Sequence, residues 1–468
     1  MSTTARIAAV LAVAGALGCS NSTTPYTWNL PEGFPLPLIP ADNPMTNEKV
    51  ELGRYLFYEK RLSGNQTYAC SSCHQQRLAF SDGRVTPIGS TGEQLPHNAM
   101  PLINAGYESF FMWSNPLLQT LEEQALVPMF SDAPVEMGMS ESTPAILYRL
   151  QSDSNYVKLF RAAFPDQGQP ISITNVVLAL ASFERTMVSG HSPYDRFQYQ
   201  GDTTAMSDSA QRGMAAFFTE KFDCYHCHAG TTFTTSFVSQ NAPTAPRDFR
   251  NTGLYNINGT GDYPPGDTGL IAFTDFSNDM GKFKIPTLRN VELTAPYFHD
   301  GSAATLDDVL DNYAHGGRLI STGPYAGNGA TSVHRDPLVK GFTMSDQEKQ
   351  DMIAFLKSLT DTSYINDQRF ANPSCPDDLP QSCPQVVPSY QNDVAPIVQR
   401  SCAMECHSAG HVAANRALPD YQSLFNLKDA ALNNIAVCNM PPPIAMNPLG
   451  EADRATLMNW LVCGAPNN

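Results

Sequence analysis

The sequence predicts a mainly α protein. Apolar residues recur at helical spacing in short segments that open on capping residues, and neither long alternating strands nor a Gly-rich phosphate loop is found. A chain of 468 residues, 42% hydrophobic and 16% charged, can bury a sizeable core, and at roughly 150 residues per domain it suggests about three domains. The formal charge of -16, from 29 basic against 45 acidic residues, argues against a nucleic-acid partner, which would need clustered Lys and Arg.

Residues 1-19, "MSTTARIAAVLAVAGALGC", hold one Arg and an apolar run from Ile7 to Leu17 that is too short to span a bilayer, and they read as an export signal. Small residues before Cys19 match a bacterial lipoprotein site with Cys19 as the acylated N-terminus, although Ala16 stands where Leu is usual; an ordinary signal cut nearby is the other reading. Either way the chain is expected in the periplasm or cell envelope, where disulfides form. Lipidation would anchor it to the outer membrane, its only expected tie to a bilayer.

"PEGFPLPLIPADNP" is an extended, Pro-rich lead-in, after which Thr46 opens a helix through "NEKVELGRYLFY" that ends before Gly64. "PAILYRLQSDSNYVKLFRAAF" and "TNVVLALASFERTMV" predict two more helices, the latter capped by Thr174. A fourth, "SDSAQRGMAAFF", begins near Ser207, and Ser345 with Glu348 forms a capping box for "QEKQDMIAFLKSL", whose Ile353, Leu356 and Leu359 face inward. Residues 362-388 have no periodicity and five prolines, so they read as a linker. "YQNDVAPIVQ" then starts a third unit and "GEADRATLMNWLVCG" closes it as an amphipathic helix. The expected partition is 26-175, 176-361, linker 362-388 and 389-468.

Chemistry enters with the cysteines, of which there are eleven. Cys70-Ser-Ser-Cys73-His74 and Cys224-Tyr-His-Cys227-His228 repeat one pattern, C-x-x-C-H, which this composition yields by chance roughly 0.006 times per chain, so two copies are signal. Two thiols one helical turn apart can each form a thioether to one vinyl group of a haem, and the adjacent His then lies under the iron. A zinc site fits poorly, because neither cluster has a second Cys pair at finger spacing. Both pairs are therefore expected to hold haem c.

A third cluster, "RSCAMECHSAG", is one residue longer, with Cys402, Cys406 and His407. It reads as a haem site whose loop bulges, or as a disulfide. Cysteine arithmetic favours haem: Cys438 can pair with Cys463 and Cys375 with Cys383, leaving none over once Cys19 takes a lipid. Met440, thirty-three residues after His407, would be the sixth ligand, with Met446 a substitute, packing the plainer role and His411 too near to reach the opposite face. His/Met ligation would suit that small cytochrome c-like unit to electron transfer.

Residues 30 to 361 resemble the bacterial di-haem cytochrome c peroxidase and MauG superfamily, through "ELGRYLFYEKRLSGNQTYACSSCH", "LEEQALVPMFSDAPVEMG", "SPYDRF" and "GKFKIPTLRNVELTAPYFHDGSAATLDDV". "DNPMTNEKVELGRYLFY", "SFERTMVSGHSPYDR" and "NTGLYN" look closest to the MbnH-like enzymes associated with methanobactin clusters. The resemblance implies two cytochrome c-like haem domains packed around an interdomain site, 26-175 being the peroxidatic one, with the third unit an addition. Where peroxidases of the family place a distal His, sixteen residues after His74, this chain has Ser90 in "TPIGS", which implies an iron left five-coordinate without prior reduction. His97, in the place of a family Arg, is a weaker candidate ligand there. Where the peroxidases place a Met ligand for the second haem, fourteen residues after the His of "PYFHDG", the chain has Tyr313; a phenolate donates more charge and stabilises oxidised iron. His315 and Met280 are rivals out of register, and a packed helix aromatic is the plainer reading of Tyr313.

The resemblance also implies that Trp113 lies between the haems, although a lone Trp is usually a core residue. It gives Gln124 and Glu136 as distal residues, Glu136 acting as the base that moves a proton between the peroxide oxygens; this segment is two residues longer than usual, and a solvated loop acid is the plainer reading of Glu136. Asn98, Thr294 and Pro296 would hold Ca²⁺ through oxygen alone. The implied function is a MauG/MbnH-like oxidase in which hydrogen peroxide raises both haems to a high-valent state that draws electrons from a Trp or Tyr of an exported, possibly copper-binding partner protein. The alternative is a cytochrome c peroxidase fed through the third haem by a cytochrome or cupredoxin, and a non-enzymatic electron carrier is a third reading.

Overall fold

A computed structural model describes residues 22–365, 367–373, 387–403, 420–428, 431, 449–462 and 465–467. The described chain is mostly helical with few strands. Its first part carries α1 (Asn47–Phe57), α2 (Cys70–Cys73), α3 (Leu121–Phe130), α4 (Thr143–Gln151), α5 (Ser154–Ala163) and α6 (Ile173–Arg185). Its second part carries α7 (Pro193–Tyr199), α8 (Asp208–Phe217), α9 (Ile271–Thr274), α10 (Leu306–His315) and α11 (Asp346–Ser358). Two short antiparallel ribbons, β1 (Phe249–Arg250) with β2 (Phe283–Lys284) and β3 (Leu319–Ile320) with β4 (Gly327–Asn328), pin loops of the second part.

Local chemistry sets the helix starts. The Thr46 side chain accepts from the Lys49 N–H, Ser207 caps α8, and Ser345 with Glu348 forms the expected box on α11. Two expectations need correction. The N-cap of α6 is Ser172, accepting from the Asn175 N–H, and Thr174 lies one position inside the helix. The segment read as one helix before it is two, because Asp153 turns outward and caps α5 through the Asn155 N–H at 2.9 Å.

Each part is organised around one close helix pair, α1 on α6 and α8 on α11. Both crossings need glycine: a Cβ at Gly53 would lie 2.0 Å from the Ala179 carbonyl oxygen, and one at Gly213 would lie 1.9 Å from that of Asp351. Leu52, Leu56, Phe57, Leu180 and Phe183 fill the first core and Phe217, Phe233, Phe355 and Leu359 the second. Each such side chain contributes roughly 1.5–3 kcal/mol of burial. The second part is also tied together by a buried charge pair. Arg289 Nη1 donates to both oxygens of Asp195 at 2.8 Å, each side chain 1% exposed, with the guanidinium 4.8 Å over the Phe34 ring. That pairing explains "SPYDRF" as a structural motif: Ser192 and Asp195 cap α7, and Asp195 then takes the arginine.

In the C-terminal region α12 (Ala395–Val398), α13 (Tyr421–Asn426) and α14 (Glu451–Val462) share an apolar cluster of their own, centred on Val394, Leu457 and a fully buried Trp460, with Cys402 packed against it. Cys19, Cys375, Cys383, Cys406, His407, His411, Cys438, Met440, Met446 and Cys463 lie outside the described residues, so the third-haem, disulfide and lipidation expectations rest on sequence. Among the described residues no helix is long and apolar enough to cross a membrane.

Candidate functional site

The two C-x-x-C-H motifs fold alike. Cys70 and Cys73 occupy a single turn, α2, and the His74 N–H closes it on the Cys70 carbonyl at 3.0 Å; the His228 N–H does the same to Cys224 at 2.9 Å. The four cysteines are free thiols, and burial pushes Cys73 and Cys224 up to about 12 and Cys227 up to about 11, with Cys70 also raised. Burial thus favours the protonated thiol over the thiolate at each.

Behind each histidine a main-chain carbonyl fixes the tautomer. His74 Nδ1 lies 2.8 Å from the Phe80 oxygen, and His228 Nδ1 lies 3.1 Å from that of Phe233. A carbonyl only accepts, so both Nδ1 atoms carry the proton and both Nε2 lone pairs face the cavity, as an iron ligand requires. Burial lowers His74 and brings His228 to about 4, so both rings stay neutral. Phe80 and Phe233 reach this geometry with φ of 59° and 53°, left-handed values rare for a bulky residue. Sequence reasoning missed both, although each is a Phe a few residues beyond its His.

The first cavity brings together Cys73, His74, Trp113, Gln124 and Glu136. Burial alone raises Glu136 to about 7, which leaves it able to take up or release a proton near neutrality. Ser90 does not line the cavity; its N–H donates to the Glu136 carbonyl at 2.7 Å, and Gly89 presses so closely on the Val135 carbonyl that a Cβ there would lie 1.9 Å from its oxygen. His97 does line it, but its Nε2 is held by Asp267 Oδ1 at 2.8 Å. A branch of the cavity beside Cys70 is faced by Glu136 and by Glu184, whose Oε2 finds no hydrogen-bond partner and which burial raises to about 8. Nothing in the sequence singled out Glu184 within "SFERTMV".

The second cavity holds Cys224, Cys227, His228 and Tyr313 within an apolar wall of α8, α10 and α11 side chains. Tyr313 comes from α10, which Thr305 and Asp308 open with a capping box and Gly316 closes at φ 75°. Enclosure raises its hydroxyl, the nearby Cys227 and Cys224 adding to the effect. Its rivals lie elsewhere. His315 is exposed, with Nδ1 on the Asp311 carbonyl, and Met280 packs into a separate cluster. The acids Asp223 and Asp336 that also line this cavity are ion-paired, to Lys340 and Arg250.

Trp113 lines both cavities and is fixed at each end: its Nε1 donates to the Asn98 carbonyl at 2.8 Å and its own carbonyl accepts from the Lys284 N–H at 2.7 Å. Asn98, Thr294 and Pro296 all face the second cavity, and Asn98 Nδ2 donates to the Arg84 carbonyl, which leaves Oδ1 as a donor to a hard cation. Beside Trp113, Asp267 bridges His97 and His299, at 2.8 and 3.0 Å, a cluster that the sequence reading did not assemble. The donor set therefore fits two covalently attached haems: paired thiols, a neutral imidazole with a free Nε2, and an apolar cavity at each motif.

Comparisons with known proteins agree with this geometry. The family described as "Di-haem cytochrome c peroxidase" matches residues 47–204. The chain is 34% identical over 331 residues to the methylamine utilization protein MauG of Methylorubrum extorquens, covering 70% of this chain and 82% of that one. It is 32% identical over 268 residues to the cytochrome c551 peroxidase of Pseudomonas aeruginosa, covering 57% and 72%. Among solved structures, a MauG-like protein associated with microbial copper homeostasis superposes with a TM-score of 0.73 at 46% identity, covering 74% of this chain and 99% of that one. This chain belongs to the di-haem cytochrome c peroxidase/MauG family of haem oxidoreductases.

Proposed function

We propose that the protein is a MauG-like oxidase that uses hydrogen peroxide to oxidise a Trp or Tyr of an exported partner protein. The observation that carries this reading is the contrast between the two cavities: Ser90 does not line the first and His97, which does, is held by Asp267, whereas Tyr313 lines the second. In this reading His74 and His228 would hold haem iron through Nε2, the four thiols would hold the porphyrins, Tyr313 would be a further ligand of the second iron, and Asn98, Thr294 and Pro296 would hold Ca²⁺. When bound, the haems supply cleavage of the O–O bond and storage of the oxidising equivalents.

The chain's own residues do the rest. Gln124 orients peroxide by its amide, and the Glu136 carboxyl takes a proton from one peroxide oxygen and returns it to the other. Trp113 joins the two cavities through one indole whose N–H stays on the Asn98 carbonyl. Overall, peroxide gains two electrons and two protons to give two waters, and the partner's side chains lose them. The similarity to a protein associated with copper homeostasis points to a copper-associated partner. We place the mature chain in the cell envelope, anchored through Cys19, with Cys402, Cys406, His407 and Met440 holding a third haem that exchanges electrons with a carrier.

EPR of the haem-loaded ferric protein tests the reading. A high-spin centre beside a low-spin centre, both responding to peroxide without prior reduction, supports it, and conversion of the low-spin signal by Tyr313→Met assigns that ligand. A requirement for pre-reduction would instead favour the peroxidase reading, which the Pseudomonas relative keeps in view.

A further inference from the structure

Aromatic rings continue outward from Trp113 in an unbroken line. Trp113 meets His299 edge-on with centroids 6.4 Å apart, and His299 stacks on Phe283 at 3.5 Å and 12°. Phe283 then meets Tyr263 at 6.2 Å, Tyr263 meets Tyr255 at 5.2 Å, and Tyr255 meets Tyr325 at 6.0 Å. Trp113, Phe283 and Tyr263 belong to one buried apolar cluster, so the inner links are dry. Tyr325, in the loop between β3 and β4, is 40% exposed.

The phenols along this line differ in where a proton can go. Tyr263 donates to the amide oxygen of Asn251 at 2.8 Å, and an amide cannot keep a proton. Tyr255 donates to the Asp300 carboxylate at 2.9 Å, beneath the Arg318 guanidinium, which lies 4.3 Å from its ring and bonds the same carboxylate oxygen at 3.1 Å. The guanidinium charge opposes a cationic ring, so Tyr255 gives up its electron only together with its proton, and the acceptor is already in contact.

We propose that Trp113, Tyr263, Tyr255 and Tyr325 form the exit by which oxidising equivalents reach the surface, and that Tyr325 is where an external phenol or indole gives up its electron. His299, Phe283 and Tyr263 bridge Trp113 to Tyr255 without being oxidised. Tyr255 loses one electron inward and one proton to Asp300, becoming a neutral phenoxyl; Tyr325 then reduces it, Asp300 returning that proton to Tyr255 while the exposed Tyr325 releases its own to solvent, and the partner's side chain restores an electron, with a proton from solvent, to Tyr325. Hydrogen peroxide is the oxidant, so the proposal rests on the reading above.

The test uses the full-length haem-loaded protein, hydrogen peroxide and a nitroso spin trap, with adducts mapped by peptide mass spectrometry and radicals followed by freeze-quench EPR. Expected is an adduct on the peptide carrying Tyr325, normalised to peroxide consumed, that Tyr325→Phe abolishes and Tyr255→Phe or Asp300→Asn reduces to background. Peroxide consumption with Tyr325 unlabelled, or labelling indifferent to Tyr255→Phe, overturns the exit alone. Absence of any peroxide consumption overturns the oxidase reading together with it.

Discussion

The two haem-type cavities share a proximal side and differ on the other. Each has a C-x-x-C-H turn, a His held through Nδ1 by a left-handed Phe carbonyl, and a helix pair that crosses at a glycine. In the cavity of His74 the chain places Gln124 and an acid raised by burial to about 7, whereas in that of His228 it places a tyrosine from α10. The two sites repeat the turn, the imidazole and its carbonyl, and differ in the other side chains that line each cavity.

The largest expected effect breaks that asymmetry. Glu136→Gln keeps the shape of the first cavity and removes its proton carrier, so stopped-flow peroxide consumption falls by roughly 10²–10⁴-fold. In the unaltered protein the rate rises with pH through about 7, where the carboxylate becomes available as base. The variant loses that dependence.

Gly53→Ala and Gly213→Ala compare the two helix crossings directly. Each adds a methyl against a backbone oxygen within 2.0 Å, and forced overpacking costs about 1–3 kcal/mol, read as a shift in the urea midpoint. The haem spectrum expected to change first is that of the part carrying the substitution.

Glu184→Gln sharpens the contrast in charge. Burial raises Glu184 from 4.5 to about 8, so the folded state prefers the protonated form, and its contribution is complete below pH 4.5 and lost as pH rises through 8. The melting temperature of Glu184→Gln should therefore match the unaltered protein at pH 5 and exceed it at pH 8, by an amount set by on the order of 1–3 kcal/mol. The smallest effect is at the helix starts. Thr46→Ala and Thr305→Ala each remove one side-chain cap, at about 1 kcal/mol in thermal unfolding, and only the second acts on the helix that carries Tyr313.

Much of this was legible beforehand because it is local. Thr46, Ser207 and the Ser345 box mark helix starts, and the C-x-x-C-H spacing places thiols and imidazole within one turn. Asp153 was overlooked because the helical spacing of apolar residues resumes beyond the polar run Gln151 to Asn155, and periodicity does not register a two-residue break. Family register led to Tyr313 and Trp113, which would otherwise read as packed aromatics, and to Glu136, which would otherwise read as a solvated loop acid. What stayed hidden joins distant residues: Asp267 with His97 and His299, Asp195 with Arg289, and the line of rings to Tyr325 all depend on loops whose meeting no spacing encodes.

The left-handed phenylalanines carry a further consequence. Because each imidazole Nδ1 rests on a peptide oxygen and not on a carboxylate, the partner adds no negative charge behind the ring. In a haem-loaded protein, side-chain adjustment of the two redox levels would then fall to residues such as Gln124, Glu136 and Tyr313 that line the two cavities.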